Sequence, residues 1–574
     1  MQNLEIAKIF FDMADLLEIK DIKWKPRAYR KAARTIQYMV PDIAEIYKKG
    51  GIKKLKGIPG VGEGLAEKIE EYIKSGKVKE YEKLKSKAPK GILQIMKIPG
   101  IGPQKAKKLY SRLKIKSIKG LESAAKKHKL LQIESFKEKT EKNILRGIDL
   151  VKKSQGRFIL GEILSIAEQL HDNIKNISGV DNVDIAGSIR RAKETVRDID
   201  ILITSKAPRL VMDAFTKFKD IKSVIAKGNT KSTVILANGI QVDLRIIKPE
   251  SYGAALQYFT GSKDHDVALR KLAMSKGYKL NEYGLFKKNN NQKIAGRFEK
   301  KIYNKLGLKF IPPEIRENSG EIASARKKLP KLMQLSDIKG DLHSHTKYSD
   351  GENTIQEMAL AARALGYKYL GITDHSPSEP IVHGLKPNEL LKRNKEIMKI
   401  NKKIKGIRLL AGSEVDILKD GSLDYKDEVL KKLDIVIVSV HTNFKMPKAK
   451  MTQRVIRAMS NEHANILGHP TSRLLLKREP ILLDMDKIFE AAKDYNVALE
   501  INSQPQRLDL NAFNIREGLK KGVKFVINSD AHNTGHFDYM HLGVLTARRG
   551  WCEKKDILNT KNFKFLSKSL KLNS

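Results

Sequence analysis

The sequence predicts a multidomain chain. A helical N-terminal region precedes an α+β domain, and a C-terminal α/β domain closes seven strands into a parallel barrel. Three observations lead there. At 574 residues the chain exceeds what one hydrophobic core supports. A Pro-Gly-x-Gly turn between helical stretches occurs twice, at residues 59–62 and 99–102. Beyond residue 337, short apolar segments alternate with helical stretches, the rhythm of parallel βα units.

Composition narrows the class. With 41% apolar residues and no run of about 18 of them, the chain reads as folded, soluble and without a membrane partner. Its start, Met1-Gln2-Asn3-Leu4, lacks a signal peptide's basic region and small-residue cleavage site. A single cysteine, Cys552, excludes an internal disulfide framework and fits a reducing cytoplasm. Alone after Trp551, it reads as a bystander and not a nucleophile. Lys and Arg number 111 against 66 Asp and Glu, a net charge of +45. Roughly 71 basic and 37 acidic residues fall in 1–336, against roughly 40 and 29 in 337–574. Lysine-rich solvated faces explain part of this excess. Its concentration in the first part points to a polyanionic partner there, and to a nucleoid-associated cytoplasmic protein.

Residues 1–85 carry apolar positions at helical spacing, Ile6, Ile9, Phe10, Met13, Leu16 and Leu17, then Ala28, Ala32 and Ile36. The segment from Lys56 to Ile69 is echoed by that from Met96 to Leu109. In each, Gly60 and Gly62 or Gly100 and Gly102 let the backbone turn sharply and approach a ligand. The N–H groups opening the next helix then face a phosphate. This is the helix-hairpin-helix pattern, which grips a DNA backbone without reading bases. One copy belongs to a domain at 1–85, the other to a domain at 86–155. A decayed third copy at 131–140 lacks both glycines and is expected to pack structurally.

From residue 156 to 250, strands are predicted at 183–186, 198–204, 232–236 and 240–247, the last two joined by an Asn238-Gly239 hairpin turn. Residues 251–318 read as short helices and turns, and 319–336 as a charged, Pro-containing connector. The barrel strands of 337–574 are expected at 338–342, 369–373, 407–411, 435–440, 465–467, 497–501 and 523–527.

Two constellations carry chemistry. Asp198 and Asp200, two apart on a strand, share one face, while Ile199 and Ile201 point into a core. Asp243 can join them from a neighbouring strand. Three clustered carboxylates repel one another unless divalent cations neutralise them, which points to two Mg²⁺ ions and in-line phosphoryl chemistry. Gly187 and Ser188 offer close backbone approach and a hydroxyl for phosphate oxygens. Arg190 or Arg191 adds charge for a leaving pyrophosphate.

The second set opens with His343 and His345 at a strand end. It continues through Asp350, His375, Glu414, His441, His469, Asp530 and His532, which recur where later strands end. Nine imidazole and carboxylate donors suit up to three Zn²⁺ or Mn²⁺ ions that activate water and neutralise a phosphate under attack.

The first set, with Tyr258-Phe259-Thr260-Gly261-Ser262, closely resembles family X DNA polymerases, the group of DNA polymerase beta, over residues 1 to about 318. The resemblance implies a nucleotidyltransferase palm at 156–250 and a nucleotide- and template-binding subdomain at 251–318. It implies that Asp198, Asp200 and Asp243 hold the catalytic metals, with Asp243 assisting deprotonation of the primer 3′-hydroxyl. Tyr258, Phe259 and Gly261 would bind the incoming dNTP, with Tyr258 helping to exclude ribonucleotides. Arg270 would reach the template minor groove, and residues 1–85 the 5′-phosphate side of a gap. Asp266 stands where the family commonly has an asparagine contacting the incoming base, and an ionised Asp cannot donate to that base. Lys68 matches the family's Schiff-base lysine, a role that asks for a lowered pKa; phosphate contact is the competing role.

The second set resembles the polymerase and histidinol phosphatase (PHP) family, which implies a distorted TIM-like (βα)₇ barrel with its full metal set. Together these suggest a DNA-repair enzyme that fills short gaps in primed DNA and shortens 3′ ends as a 3′–5′ exonuclease, with abasic-site cleavage an extension. Two alternatives stand beside it. The barrel is a phosphatase for 3′-phosphates or small molecules, or the whole chain is a non-catalytic DNA-end scaffold. Protein partners, fidelity and oligomeric state are not legible.

Overall fold

The computed structural model describes residues 2–572 apart from 23, 39–42, 59, 99, 155 and 379–382. The chain forms two compact units, one of residues 1–156 with 476–478, the other of 157–475 with 479–574. Among the described residues no helix is long and apolar enough to cross a membrane.

The first unit is helical. Helices Gln2–Ile19 and Lys25–Tyr38 pack through Phe10 and Tyr29, edge to face at 5.5 Å. The two hairpins join Gly51–Lys56 to Glu63–Ser75 and Ile92–Met96 to Pro103–Leu113. Gly62 and Gly102 cap the second helices, and Gly60 and Gly100 hold φ of +81° and +89°, which a side chain resists. Pro59 and Pro99 lie outside the described residues. Matching positions are buried alike: Ile58 with Ile98, Val61 with Ile101, Ala66 with Ala106, Ile69 with Leu109. In the glycine-free third copy Ile133 and Phe136 are buried.

The second unit begins with Phe158–Ile159 (β1), Val180–Ile185 (β2), Thr195–Val196 (β3), Asp198–Ser205 (β4), Ile221–Lys227 (β5), Lys231–Leu236 (β6) and Gln241–Ile246 (β7). β1 pairs with β3; the other five form a sheet ordered β2-β4-β7-β6-β5. Its parallel β4–β7 pair brings the acids together. Ile199 and Ile201 are fully buried on the opposite face, as the alternation requires.

Residues 251–318 hold the expected helices, but also Tyr278–Asn281 (β8), Gly284–Lys287 (β9) and Lys293–Ala295 (β10), an antiparallel sheet too short and lysine-rich to show a period. The segment 319–336 is packed. Its helix Glu321–Ala325 buries Glu321 against His265, whose Nδ1 lies 2.6 Å away, and Met333 donates to the Cys552 carbonyl at 3.1 Å.

The barrel strands are Gly340–Asp341 (β11), Tyr369–Ile372 (β12), Arg408–Asp416 (β13), Ile435–Ser439 (β14), Ile466–Leu467 (β15), Ala498–Asn502 (β16) and Phe525–Asn528 (β17), all parallel and in chain order. Between β11 and β17 the backbone supplies one bridge, Ser344 to Ala531. Asparagines complete the seam: Leu342 N–H donates to Asn528 at 3.1 Å, and Asn559 donates to Gly340 O and Ile527 O at 2.8 and 2.6 Å. Leu566 and Leu570 of the C-terminal helix pack with Leu342, Ile435, Ile466 and Val526, filling one end of the barrel with apolar side chains.

Two candidate metal centres

Asp200 on β4 lies directly opposite Asp243 on β7, and Asp198 shares its face. Burial, then the charges of Asp198 and Asp243, push Asp200 up to about 6. Burial and Asp243 raise Asp198 likewise. Asp243 goes the other way: burial is outweighed by Lys231, 2.9 Å away, and by the Thr233 hydroxyl, which donates at 2.7 Å. Crowded carboxylates that ionise against their surroundings are ready partners for divalent cations, so this donor set fits Mg²⁺.

Gly187 has φ +64°, and a Cβ there would stand 2.5 Å from the Asp200 carboxylate. Only glycine fits. Ser188 follows in the short helix Gly187–Arg190. Arg190 forms a bidentate pair with Glu299 (2.8 and 3.1 Å) and donates to Thr260 at 2.7 Å. Arg191 donates to the Thr260 carbonyl and to Glu317 at 3.2 Å. Arg190 thus makes three such contacts and Arg191 two.

Tyr258 and Phe259 meet edge to face at 5.1 Å. Arg270 lies over Tyr258 at 5.1 Å and Arg245 over Phe259 at 4.5 Å. Gly261 has φ +66° and comes close to Arg191. Asp266 is buried, accepts from Gln257 at 2.7 Å, and burial pushes its carboxyl up to about 7. Near neutral pH part of it keeps its proton, so it can donate after all.

In the helical unit, Lys68 Nζ sits 3.0 Å from Glu80 and donates to Gly64 O at 3.1 Å. Burial works against its charge, but Glu80 and Tyr29 outweigh it and raise the pKa. The free chain thus holds this amine protonated.

At the barrel's strand ends all nine predicted donors converge. Glu414, on β13, is central: His375 Nδ1, His343 Nε2, His441 Nε2 and His469 Nε2 lie 3.1, 3.3, 3.1 and 2.9 Å from its oxygens. Asp350 faces His532 at 3.2 Å and His375 at 3.7 Å. Asp530 faces His345 at 3.2 Å and His343 at 3.7 Å. Three groups have donor atoms within 4.8 Å of one another: His345, Asp350, His375 and His532; His343, His345 and Asp530; His375, Glu414 and His441.

Several nitrogens here are buried without a hydrogen-bond partner: His343 Nε2, both of His345, His375 Nδ1 and His469 Nδ1. Unpartnered imidazole nitrogens clustered with shared carboxylates fit divalent transition metals. Without cations the acids reshape the histidines. Burial opposes charge on His441 and His532, yet Glu414 and Asp350 respectively outweigh it, and both rise to about 10. His375 falls to about 3, chiefly through burial. His469 and Asp530 hold positive φ, +24° and +53°, strain of the kind that functional loops keep.

The sequence reading missed the supporting acids. Glu500 on β16 holds His343 Nδ1 at 2.7 Å, and Asp416 holds His441 Nδ1 at 3.0 Å. Such partners fix which ring nitrogen faces a metal. The signal was present: Glu500 is the one charge in the apolar strand Ala498–Asn502.

Comparisons with known proteins match four segments of the chain. Residues 1–78 match a helix-hairpin-helix domain, 92–149 a SAM-like helix-hairpin-helix tandem, 255–317 a DNA polymerase beta thumb and 341–504 a PHP domain. The chain is 37% identical over 576 residues to the DNA polymerase/3′-5′ exonuclease PolX of Bacillus subtilis, covering 100% of each chain. Over 213 residues, 34% of this chain and 82% of the relative, it is 36% identical to a probable phosphatase of a Thermoanaerobacter species. A probable phosphatase of Acetivibrio thermocellus is 31% identical over 35% of this chain and 83% of its own.

Proposed function

The chain belongs to the family of the DNA polymerase/3′-5′ exonuclease PolX, and we propose that it extends primer 3′ ends in short DNA gaps and shortens 3′ ends at the barrel. One observation carries this: a three-carboxylate face and nine converging donors, several of whose imidazole nitrogens have no hydrogen-bond partner, stand in one chain.

At the palm, Asp198, Asp200 and Asp243 would hold two Mg²⁺ ions, which when bound neutralise the triphosphate and lower the cost of ionising the attacking hydroxyl. Asp243 accepts the proton of the primer 3′-hydroxyl. Ser188 and Arg191 take phosphate oxygens, while Arg190 braces the loop through Glu299. Tyr258 and Phe259 pack against the sugar, and Arg270, stacked on Tyr258, faces the template. The hairpins at Gly60–Gly62 and Gly100–Gly102 hold the DNA backbone in the gapped substrate.

At the barrel, the nine donors would hold up to three Zn²⁺ or Mn²⁺ ions, which when bound polarise a phosphodiester and supply a water-derived nucleophile. Glu500 and Asp416 keep His343 and His441 turned towards the cluster. Abasic-site cleavage belongs to the same proposal. The probable phosphatases matched over this segment favour one second reading, in which the barrel removes 3′-phosphates.

The test uses a 5′-phosphorylated one-nucleotide gap with a labelled primer, in Mg²⁺ and in Mn²⁺. Asp198→Ala/Asp200→Ala should only shorten the primer, and His343→Ala/His345→Ala should only extend it. Extension without shortening in the wild type, with phosphate released from a second primer that ends in a 3′-phosphate, selects the phosphatase reading. Binding with neither reaction refutes both.

A further inference from the structure

We infer that Arg507 is a phosphate-binding residue of the barrel site, and that the palm residue Glu194 positions it through Arg473. This rests on the barrel acting at DNA 3′ ends.

Arg507 lies on the loop between β16 and the helix Ala512–Lys520. Its Nε stands 3.8 Å from Asp530 Oδ2, beyond hydrogen-bond range, and its Nη1 is buried with no hydrogen-bond partner. That Asp530 oxygen already accepts from Asn502 at 3.1 Å, and the other faces His345 at 3.2 Å. Asp530 therefore directs its charge at the donor cluster. A guanidinium next to a site for several dications is repelled by them unless an anion lies between. A phosphate is that anion, and the guanidinium fork matches two of its oxygens.

The loop is held from the palm. Arg473 donates from Nε to Arg507 O at 2.9 Å and from Nη2 to Leu508 O. The same guanidinium forms a bidentate pair with Glu194 at 2.7 and 3.1 Å, beside β3. Leu508 sits at φ +42°, a conformation that needs outside restraint. A second palm contact meets the loop two residues before Arg507: a Cβ on Gly161 would stand 2.5 Å from Pro505. Gln504 closes the loop onto the ligand segment, donating to Asp530 O at 2.7 Å. The carboxylate that fixes Arg507's backbone thus comes from the polymerase half.

The full-length protein tests this. Arg507→Ala should slow shortening of a labelled single strand by about a hundredfold, as loss of a transition-state donor does. Bound metal, measured by mass spectrometry, and primer extension should stay at wild-type levels. Added guanidinium should restore part of the rate, and Arg507→Lys less of it. Calorimetry with dAMP, whose phosphate stands in for the product's, should show weaker binding in Arg507→Ala. Glu194→Gln should slow shortening about fivefold, with guanidinium giving no rescue because the arginine is still present. Wild-type shortening or unrescued metal loss in Arg507→Ala overturns the phosphate role; wild-type shortening in Glu194→Gln overturns the positioning. If the wild-type protein does not shorten DNA, the functional proposal fails, while dAMP binding still judges Arg507.

Discussion

On the proposed function, in which Asp266 meets the incoming base, dNTP affinity depends on pH near neutrality. Burial raises its carboxyl to about 7, with Gln257, Arg270, Arg316 and Arg191 pulling the other way without prevailing. On that reading the protonated form would donate to a minor-groove acceptor of the incoming base, and the carboxylate would repel it. With a pKa of about 7 the donor fraction falls from roughly 0.9 at pH 6 to roughly 0.1 at pH 8, and apparent affinity scales with the competent fraction. The dNTP Kd should therefore rise about tenfold across that window. Single-turnover incorporation at varied dNTP separates Kd from the maximal rate, whose own pH dependence reflects the 3′-hydroxyl and runs the other way. Asp266→Asn should hold the low-pH affinity throughout. A flat wild-type Kd, or the same slope in Asp266→Asn, would refute the reasoning.

Other outcomes follow from the same geometry. Glu299→Ala strips the carboxylate from fully buried Arg316, 2.5 Å away, and from Arg190, so urea unfolding should show a loss of about 3–5 kcal/mol. Gly100→Ala forces a side chain to φ +89°, at a cost of about 1–2 kcal/mol. Gapped-DNA affinity should drop, with a shallower dependence on salt than the wild type's. Glu500→Gln weakens the hold on His343, and competition with a chromophoric chelator should report metal affinity about 10–100-fold lower.

Legibility followed the reach of each signal. Asp198, Asp200 and the barrel donors were readable because strand alternation and strand-end position are local rules, and those rules placed all nine donors at one end. The three-stranded sheet 278–295 escaped, since strands of three or four residues among lysines and asparagines carry no period. Residues 319–336 looked like a connector because Glu321 and Arg326 are charged. Glu321 is buried against His265, 56 residues earlier, and no local pattern announces that partner. Asp266 shows the same limit: its residue type is in the sequence, but its raised pKa depends on burial by the whole subdomain. Arg473 and Glu194, 279 residues apart, left no mark that a linear reading could join.

The two centres should also part company under chelation. The palm offers three carboxylates on a face that remains partly open, with Lys231 already paired to Asp243. Oxygen-only donors of this kind bind Mg²⁺ weakly and exchange it freely. The barrel offers six imidazoles with three acids, most of them buried, and nitrogen donors favour transition metals over Mg²⁺ by a wide margin. Dialysis against a strong chelator, then return to Mg²⁺ alone, should restore primer extension at once and leave 3′ shortening silent until Mn²⁺ or Zn²⁺ is supplied. Recovery of both activities in Mg²⁺ would mean that the imidazoles are not the ligands that hold the working ions. The working ions would then rest on Asp350, Glu414 and Asp530 as a second carboxylate site.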